Sequence, residues 1–302
     1  MTQLRTKLIT ENKVAEGTAN LYMTKLRKLN SGHPFMTFSF LKDTKGITAL
    51  LDQYENDNTR KSYLASIIAV LNGNEGKAYK TVNSHYKAMM NTERKNMENK
   101  PAGEMTATQK ENWMEWSDIK NIYDGLKDKV EKYDKKILED SVSARQIYQD
   151  FIVLSFYVLC PPRRNADYYL MKVDNNNNMN EDYNYYRHKE GKFIFNNYKT
   201  KKTHGVEVLE VNDTLKSVLN RYIELMGIGD DEYLLFRNDT LRKSSSIITK
   251  TLNRVLKRKV GSSMLRHIYL TSHYGDTYKE LNKVAHDMGH SISMASDYVL
   301  NA

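Results

Sequence analysis

The stretch "KFIFNNYKTKKTHGVEVLEV", residues 192–211, decides the fold class, because it interrupts a chain otherwise patterned for helices. Phe193 to Tyr198 and Val206 to Val211 are rich in aromatic and β-branched residues, as strands are, and the basic residues and Gly205 between them make a turn. From Asp213 to the end the helical period returns. The expected fold is therefore mainly α with a small antiparallel β-sheet.

Upstream of this hairpin, "FIVLSFYVLC" (151–160) reads as a buried helix that ends at "LCPP". That apolar run is about half of the ~20 residues a bilayer span needs, and the opening "MTQLRTKLITENK" lacks the apolar centre of a signal peptide. A soluble intracellular protein is expected, with no membrane partner. Cys160 is the sole cysteine, which excludes an internal disulfide framework and the usual zinc clusters. Within an apolar run it reads as an inert core thiol.

Further upstream, "WSDIKNIYDGL" (116–126) starts a helix that Ser117 can cap, and "ENKPAGEMTATQ" (98–109) is weakly periodic and reads as a linker. The first hundred residues carry short amphipathic helices. Thr18 is the expected cap of one with Tyr22, Leu26 and Leu29 on one face, and Tyr63, Leu64, Ile67, Ile68 and Leu71 mark another. A third, at 77–97, carries Lys77, Lys80, Lys87, Arg94 and Lys95. The expected domains are 1–100, helical, and 113–302, joined by a linker at 101–112. The Asn-rich run "DNNNNMNEDYNYY" (174–186) reads as compositional bias with no functional content.

The 302 residues hold 46 Lys and Arg against 37 Asp and Glu, a formal charge of +9. A polyanionic partner is expected, nucleic acid ahead of an anionic membrane. Four separated stretches carry groups suited to one phosphodiester. They are "PPRRNADYYLMKV" with Arg163 and Arg164, "NYKTKKTHG" with Lys199, Lys201 and Lys202, "GSSMLRHIYLTSHYG" with Arg266 and His267, and "MGHSISMASDY" with His290 and Tyr298. Attack on a phosphodiester builds negative charge on the non-bridging oxygens, which arginines hold by paired planar hydrogen bonds that lysine cannot reproduce. A lysine at a hairpin tip can protonate the departing 5′ oxygen. A tyrosine hydroxyl can attack phosphorus and conserve the bond energy as a phosphotyrosyl link. This chemistry needs no metal and no cofactor.

At these residues the chain resembles the tyrosine recombinases, or phage-type integrases, over residues 106–302. Its "PPRRNADY" and "NYKTKKTHG" wording is most similar to integrases of large DNA viruses and their mobile elements. The resemblance implies a helical core-binding domain followed by an α+β catalytic domain that cuts and rejoins DNA through a 3′-phosphotyrosyl intermediate. It implies Arg164, Lys199, Arg266, His290 and Tyr298 as catalytic residues, with Lys199 as general acid and Lys201 and Lys202 as register alternatives. Asp167 matches the acid three residues after the first arginine, and His267 follows the second. Arg163, Lys201, Lys202, Arg254, Lys257 and Arg258 are the expected DNA contacts. The implied partner is double-stranded DNA, held by a homotetramer on two duplexes that assembles from chains monomeric in free solution.

Two positions depart from the family pattern. Ser263 stands where a histidine is usual, three residues before Arg266, and His290 precedes Tyr298 by eight residues where nine is common. The same residue set also serves type IB topoisomerases. The two departures equally suit a DNA-binding protein that kept the fold and lost activity.

Overall fold

The computed structural model describes residues 2–72, 77–98, 103–174, 176, 179–236 and 244–298, apart from the side chains of residues 2, 77 and 98. The chain divides after Glu104 into two units, each with its own apolar core.

The first unit consists of α1 (Thr2–Thr10), α2 (Glu16–Leu29), a 3-10 turn (Ser39–Lys42), α3 (Thr44–Asp52), α4 (Asp57–Leu71) and α5 (Lys77–Glu98). On α2 the buried stripe is Ala19, Met23, Leu26 and Leu29, while Tyr22 stays half-buried. Thr18 does not cap this helix. Extended backbone at Ala15 starts it earlier, with Glu16 in the first turn, where a carboxylate suits the positive end of the helix dipole. Helix α4 packs against both α2 and α5. Arg60 of α4 forks onto both carboxylate oxygens of Glu93 on α5, at 2.8 and 3.1 Å, and Tyr86 is fully buried with its hydroxyl donating to the Leu41 carbonyl at 2.9 Å. Lys80, Lys87, Arg94 and Lys95 all lie exposed on α5.

The second unit begins with α6 (Ala107–Asn112), inside the stretch expected to be a linker. A reciprocal capping box between Thr106 and Gln109 starts this helix, a local signal that outweighs the weak periodicity. Then come α7 (Trp116–Val130), α8 (Lys135–Asp140), α9 (Val142–Val158) and the short α10 (Asn165–Tyr168). Glu115, with extended backbone, occupies the N-cap position of α7, so Ser117 falls inside its first turn. The apolar run at 151–160 is the second half of α9, buried from Phe151 to Tyr157 and packed against α7, α8, α12 (Asp213–Met226) and α13 (Ser246–Leu256). Its burial pushes the Cys160 thiol just beyond it up to about 11, which suits an inert core thiol.

The sheet holds β1 (Lys172–Val173), β2 (Tyr185–Arg187), β3 (Lys192–Phe195) and β4 (Glu207–Glu210), in the order β1-β2-β3-β4. The expected hairpin is β3 and β4, paired antiparallel with Phe193 opposite Leu209 and Phe195 opposite Glu207. The sheet is not wholly antiparallel, however, because β1 runs parallel to β2. One residue of the Asn-rich stretch ties the turn after α9 to the end of β3. Asn184, only 4% exposed, donates to the carbonyls of Asp167 at 2.8 Å and Asn197 at 2.9 Å and accepts from the Asn197 amide at 2.7 Å. One amide side chain thus replaces ladder bonds that short strands cannot supply. Between β3 and β4, residues Lys201–His204 form one helical turn, α11, that Gly205 ends at a φ of +73°. The chain finishes with α14 (Ser262–Asp287) and α15 (Ile292–Asp297).

Asn184→Ala is expected to cost about 1–3 kcal/mol of stability by leaving one buried and two part-buried backbone groups without their partner. A urea titration with unchanged slope checks this; an unchanged midpoint would show that the sheet closes without that amide.

Candidate functional site

The turn after α9, "PPRRNADY", is fixed by its first arginine. Arg163 donates through Nε to Asp167 Oδ2 at 3.0 Å and through Nη1 to Glu207 Oε2 at 2.7 Å, tying the turn to β4. Its guanidinium also lies 3.9 Å over the Phe195 ring and 5.4 Å from the centre of Tyr198. Tyr198 completes the knot by donating to Glu207 Oε1 at 3.0 Å and to the Gly205 carbonyl at 2.9 Å. Arg163 was an expected DNA contact. With two carboxylates on it and only 20% of its side chain exposed, it is a structural tie instead.

Arg164, the next residue, has extended backbone at the N-cap position of α10. It therefore leaves the turn in another direction from Arg163. Asn165 holds α10 in place by accepting from the Tyr157 hydroxyl and donating to Thr249 of α13, both at 2.7 Å. Arg266 comes from the first turns of α14, which is seated by buried Leu265 and Ile268 and by the ring of Trp116 on α7 against Tyr269 and His273. These supports bring Arg164 and Arg266 to one cavity of about 290 Å³, lined also by Pro162, Arg163, Asp167, Thr200, His204 and Glu207.

Among the described residues neither Arg164 nor Arg266 has an ion-pair or hydrogen-bond partner, although both are half-buried. Three guanidiniums face two carboxylates there, and both carboxylates are engaged by Arg163, so the cavity is left with an uncompensated positive charge. Burial raises the Asp167 carboxyl above its ordinary value, against the pull of Arg163 and Arg164. For Glu207, burial acts in the same direction, but hydrogen bonds from Arg163 and Tyr198 prevail and hold it below the ordinary value.

The other expected site residues lie elsewhere. Lys199 and Lys202 are exposed and do not line the cavity, and Lys201 pairs with Glu181 at 3.0 Å. Ser263 and His267, four residues apart on one face of α14, line a separate depression with Gln109, Thr249 and Met264. Arg254 forms a two-pronged pair with Asp150, which joins α13 to α9. Arg258 donates to the Glu111 carbonyl at 3.1 Å, and Lys257 is exposed with a left-handed backbone that ends α13.

The "MGHS" sequence is a helix stop and start. Gly289, at a φ of +73°, ends α14 while the His290 amide donates back to Ala285 at 2.9 Å, and Ser291 caps α15 through the Met294 amide. His290 and Tyr298 face each other with ring centroids 5.6 Å apart. Tyr298 is 62% exposed and lies outside the residues lining the cavity. Sequence reasoning missed Asn165, Thr200, His204 and Glu207, whose residue types carry no signal until the turn and hairpin meet.

No protein-family model, curated protein or solved structure matches the chain.

Arg163→Met is expected to cost about 3 kcal/mol or more, because it leaves two carboxylates facing each other in a half-buried site. Chemical denaturation measures it, and a loss below about 0.5 kcal/mol would deny the tie its structural role. Since Glu207 ionises below its ordinary value of 4.5 in the folded chain, its contribution is complete above that pH and is lost as the pH falls through the folded value. Asp167, with a raised value, acts in the opposite sense. Glu207→Gln is therefore expected to flatten the fall in stability below pH 4.5, and an unchanged acid slope would contradict the assignment.

Proposed function

We propose that this chain is a DNA strand-breaking and rejoining enzyme of the tyrosine recombinase kind, with site-specific recombination or integration as its activity. The observation that carries the reading is the pair of unpaired arginines, Arg164 and Arg266, lining one net-positive cavity from separate parts of the sequence. Keeping two half-buried guanidiniums unpaired costs desolvation with no internal return, a cost that a bound anion offsets. Two planar forks at one point suit the two non-bridging oxygens of a phosphodiester. They bind more strongly as charge builds in the transition state.

In this reading Tyr298 is the nucleophile and His290, against its ring, supports it. Tyr298 attacks phosphorus, the bond to the 5′ oxygen breaks, and the 3′-phosphotyrosyl link holds the end until rejoining. The exposed tyrosine must reach the phosphate held by the arginines, so α14 and α15 act as an arm that closes when DNA binds or that serves a second copy. Exposed Leu270, Tyr274, Val284 and Met288 on and just beyond α14 support contact between copies, as a tetramer on two duplexes would require. The net charge of +9 suits the sequence-independent part of DNA affinity.

The decisive experiment traps the covalent intermediate on nicked duplex DNA. The native chain is expected to yield an adduct whose attached DNA end identifies the site, and Tyr298→Phe to yield none. Arg164→Lys and Arg266→Lys are each expected to lower adduct formation by about 100-fold or more while retaining duplex binding. Intact binding with no adduct on any DNA tested would overturn the enzymatic reading. Relaxation of supercoiled circles without strand exchange would reassign the activity to a topoisomerase.

A further inference from the structure

We infer that His204, and not a hairpin lysine, is the group that hands a proton to the departing 5′ oxygen and takes it back on rejoining. The inference rests on the strand-breaking reading above and completes a chemical set that the sequence left open. With serine at position 263, the usual histidine is missing from α14. Ser263 and His267 line the separate depression, not the arginine cavity. An imidazole reaches the arginine cavity from the hairpin instead.

The cause is the helical turn α11. An extended or loosely coiled connection of this length would leave Lys199, Lys201 and Lys202 at its tip. Here the amides of Thr203 and His204 donate to the Thr200 carbonyl at 3.0 and 3.1 Å, and the Gly205 amide donates to Lys201 at 2.7 Å. The wound segment sets Thr200 and the exposed His204 on the cavity lining, pairs Lys201 with Glu181, and leaves Lys199 and Lys202 exposed and off that lining. Of the hairpin's basic residues from 199 to 204, His204 alone lines the site.

The groups around His204 fit the role. Arg164 and Asp167 reach the cavity from the turn after α9, Glu207 from β4, Arg266 from α14 and Thr200 from the hairpin itself. Glu207 is the nearby carboxylate that interacts electrostatically with the imidazole, while its oxygens are held by Arg163 and Tyr198. Its own oxygens are therefore not free to take up the proton. In cleavage the Tyr298 oxygen forms its bond to phosphorus and loses its proton to solvent. The phosphorus bond to the 5′ oxygen breaks, and that oxygen takes the proton of the imidazolium. In rejoining, the neutral imidazole removes the proton from the attacking 5′ hydroxyl as the bond from phosphorus to the Tyr298 oxygen breaks, and that oxygen regains a proton from solvent.

The test uses the full chain and a duplex carrying the site located by sequencing the native adduct, made with either oxygen or sulfur at the scissile 5′ position. A thiolate leaves without protonation, so only loss of the acid is repaired by sulfur. His204→Ala and His204→Gln are expected to cleave the oxygen substrate about 100-fold or more slowly and to return to within about tenfold of the native rate on the sulfur substrate. Equal losses on both substrates would make His204 structural, and native-like cleavage of both would make it a bystander. A sulfur-rescued defect in Lys199→Ala, with His204→Ala behaving as native, would move the role to Lys199 and overturn the inference. If the native chain forms no adduct at any site, the strand-breaking reading fails and this inference with it; adduct formation without a His204 effect removes the inference alone.

Discussion

The ion pair of Arg163 with Asp167 and Glu207 is the interaction on which the site depends. It joins the turn after α9 to β4, and the faces of Phe195 and Tyr198 close over the guanidinium. Asp167 is almost wholly buried, so this fork is a constrained bridge and not a solvated surface pair. Because the turn cannot swing away from the hairpin, the neighbouring Arg164 shares a cavity with residues of α11 and α14. The aromatic layer beneath, with Phe156 and Tyr168 stacked at 4.4 Å, makes the seat rigid.

Two adjacent arginines thereby acquire opposite roles. Arg163 directs its donors at two carboxylates, while Arg164 has no ion-pair or hydrogen-bond partner among the described residues. A similar division separates Arg254, committed to Asp150, from Arg266, which is unpaired. Carboxylate neighbours separate paired from unpaired arginines here, and two of those neighbours, Glu207 and Asp150, lie far away along the chain.

The C-terminal region follows a different logic. Helix α14 is anchored by Leu265, Ile268 and the Trp116 ring, and beyond Ile268 most of its residues are exposed. Helix α15 packs back against α14 through Ala285 and Ala295, with Gly289 allowing the reversal. A segment held mainly by its own short hairpin opens at little cost compared with the core.

Local chemistry made much of this legible in advance. The β-branched and aromatic residues at 193–198 and 206–211 announced a hairpin and the apolar run at 151–160 a buried helix, because each depends on neighbours in sequence. The grouping of Arg164 and Arg266 was also anticipated as chemistry, through a resemblance of order and spacing. Tertiary structure alone decided the parallel strand β1, the burial of Asn184, the pairing of Arg163, Arg254 and Lys201, and the turn that sets His204, and none of the hairpin lysines, on the arginine cavity. The physical reason is common to all of them: whether a polar or charged group is available to a ligand depends on which distant donors and acceptors folding sets beside it, and residue type does not carry that information.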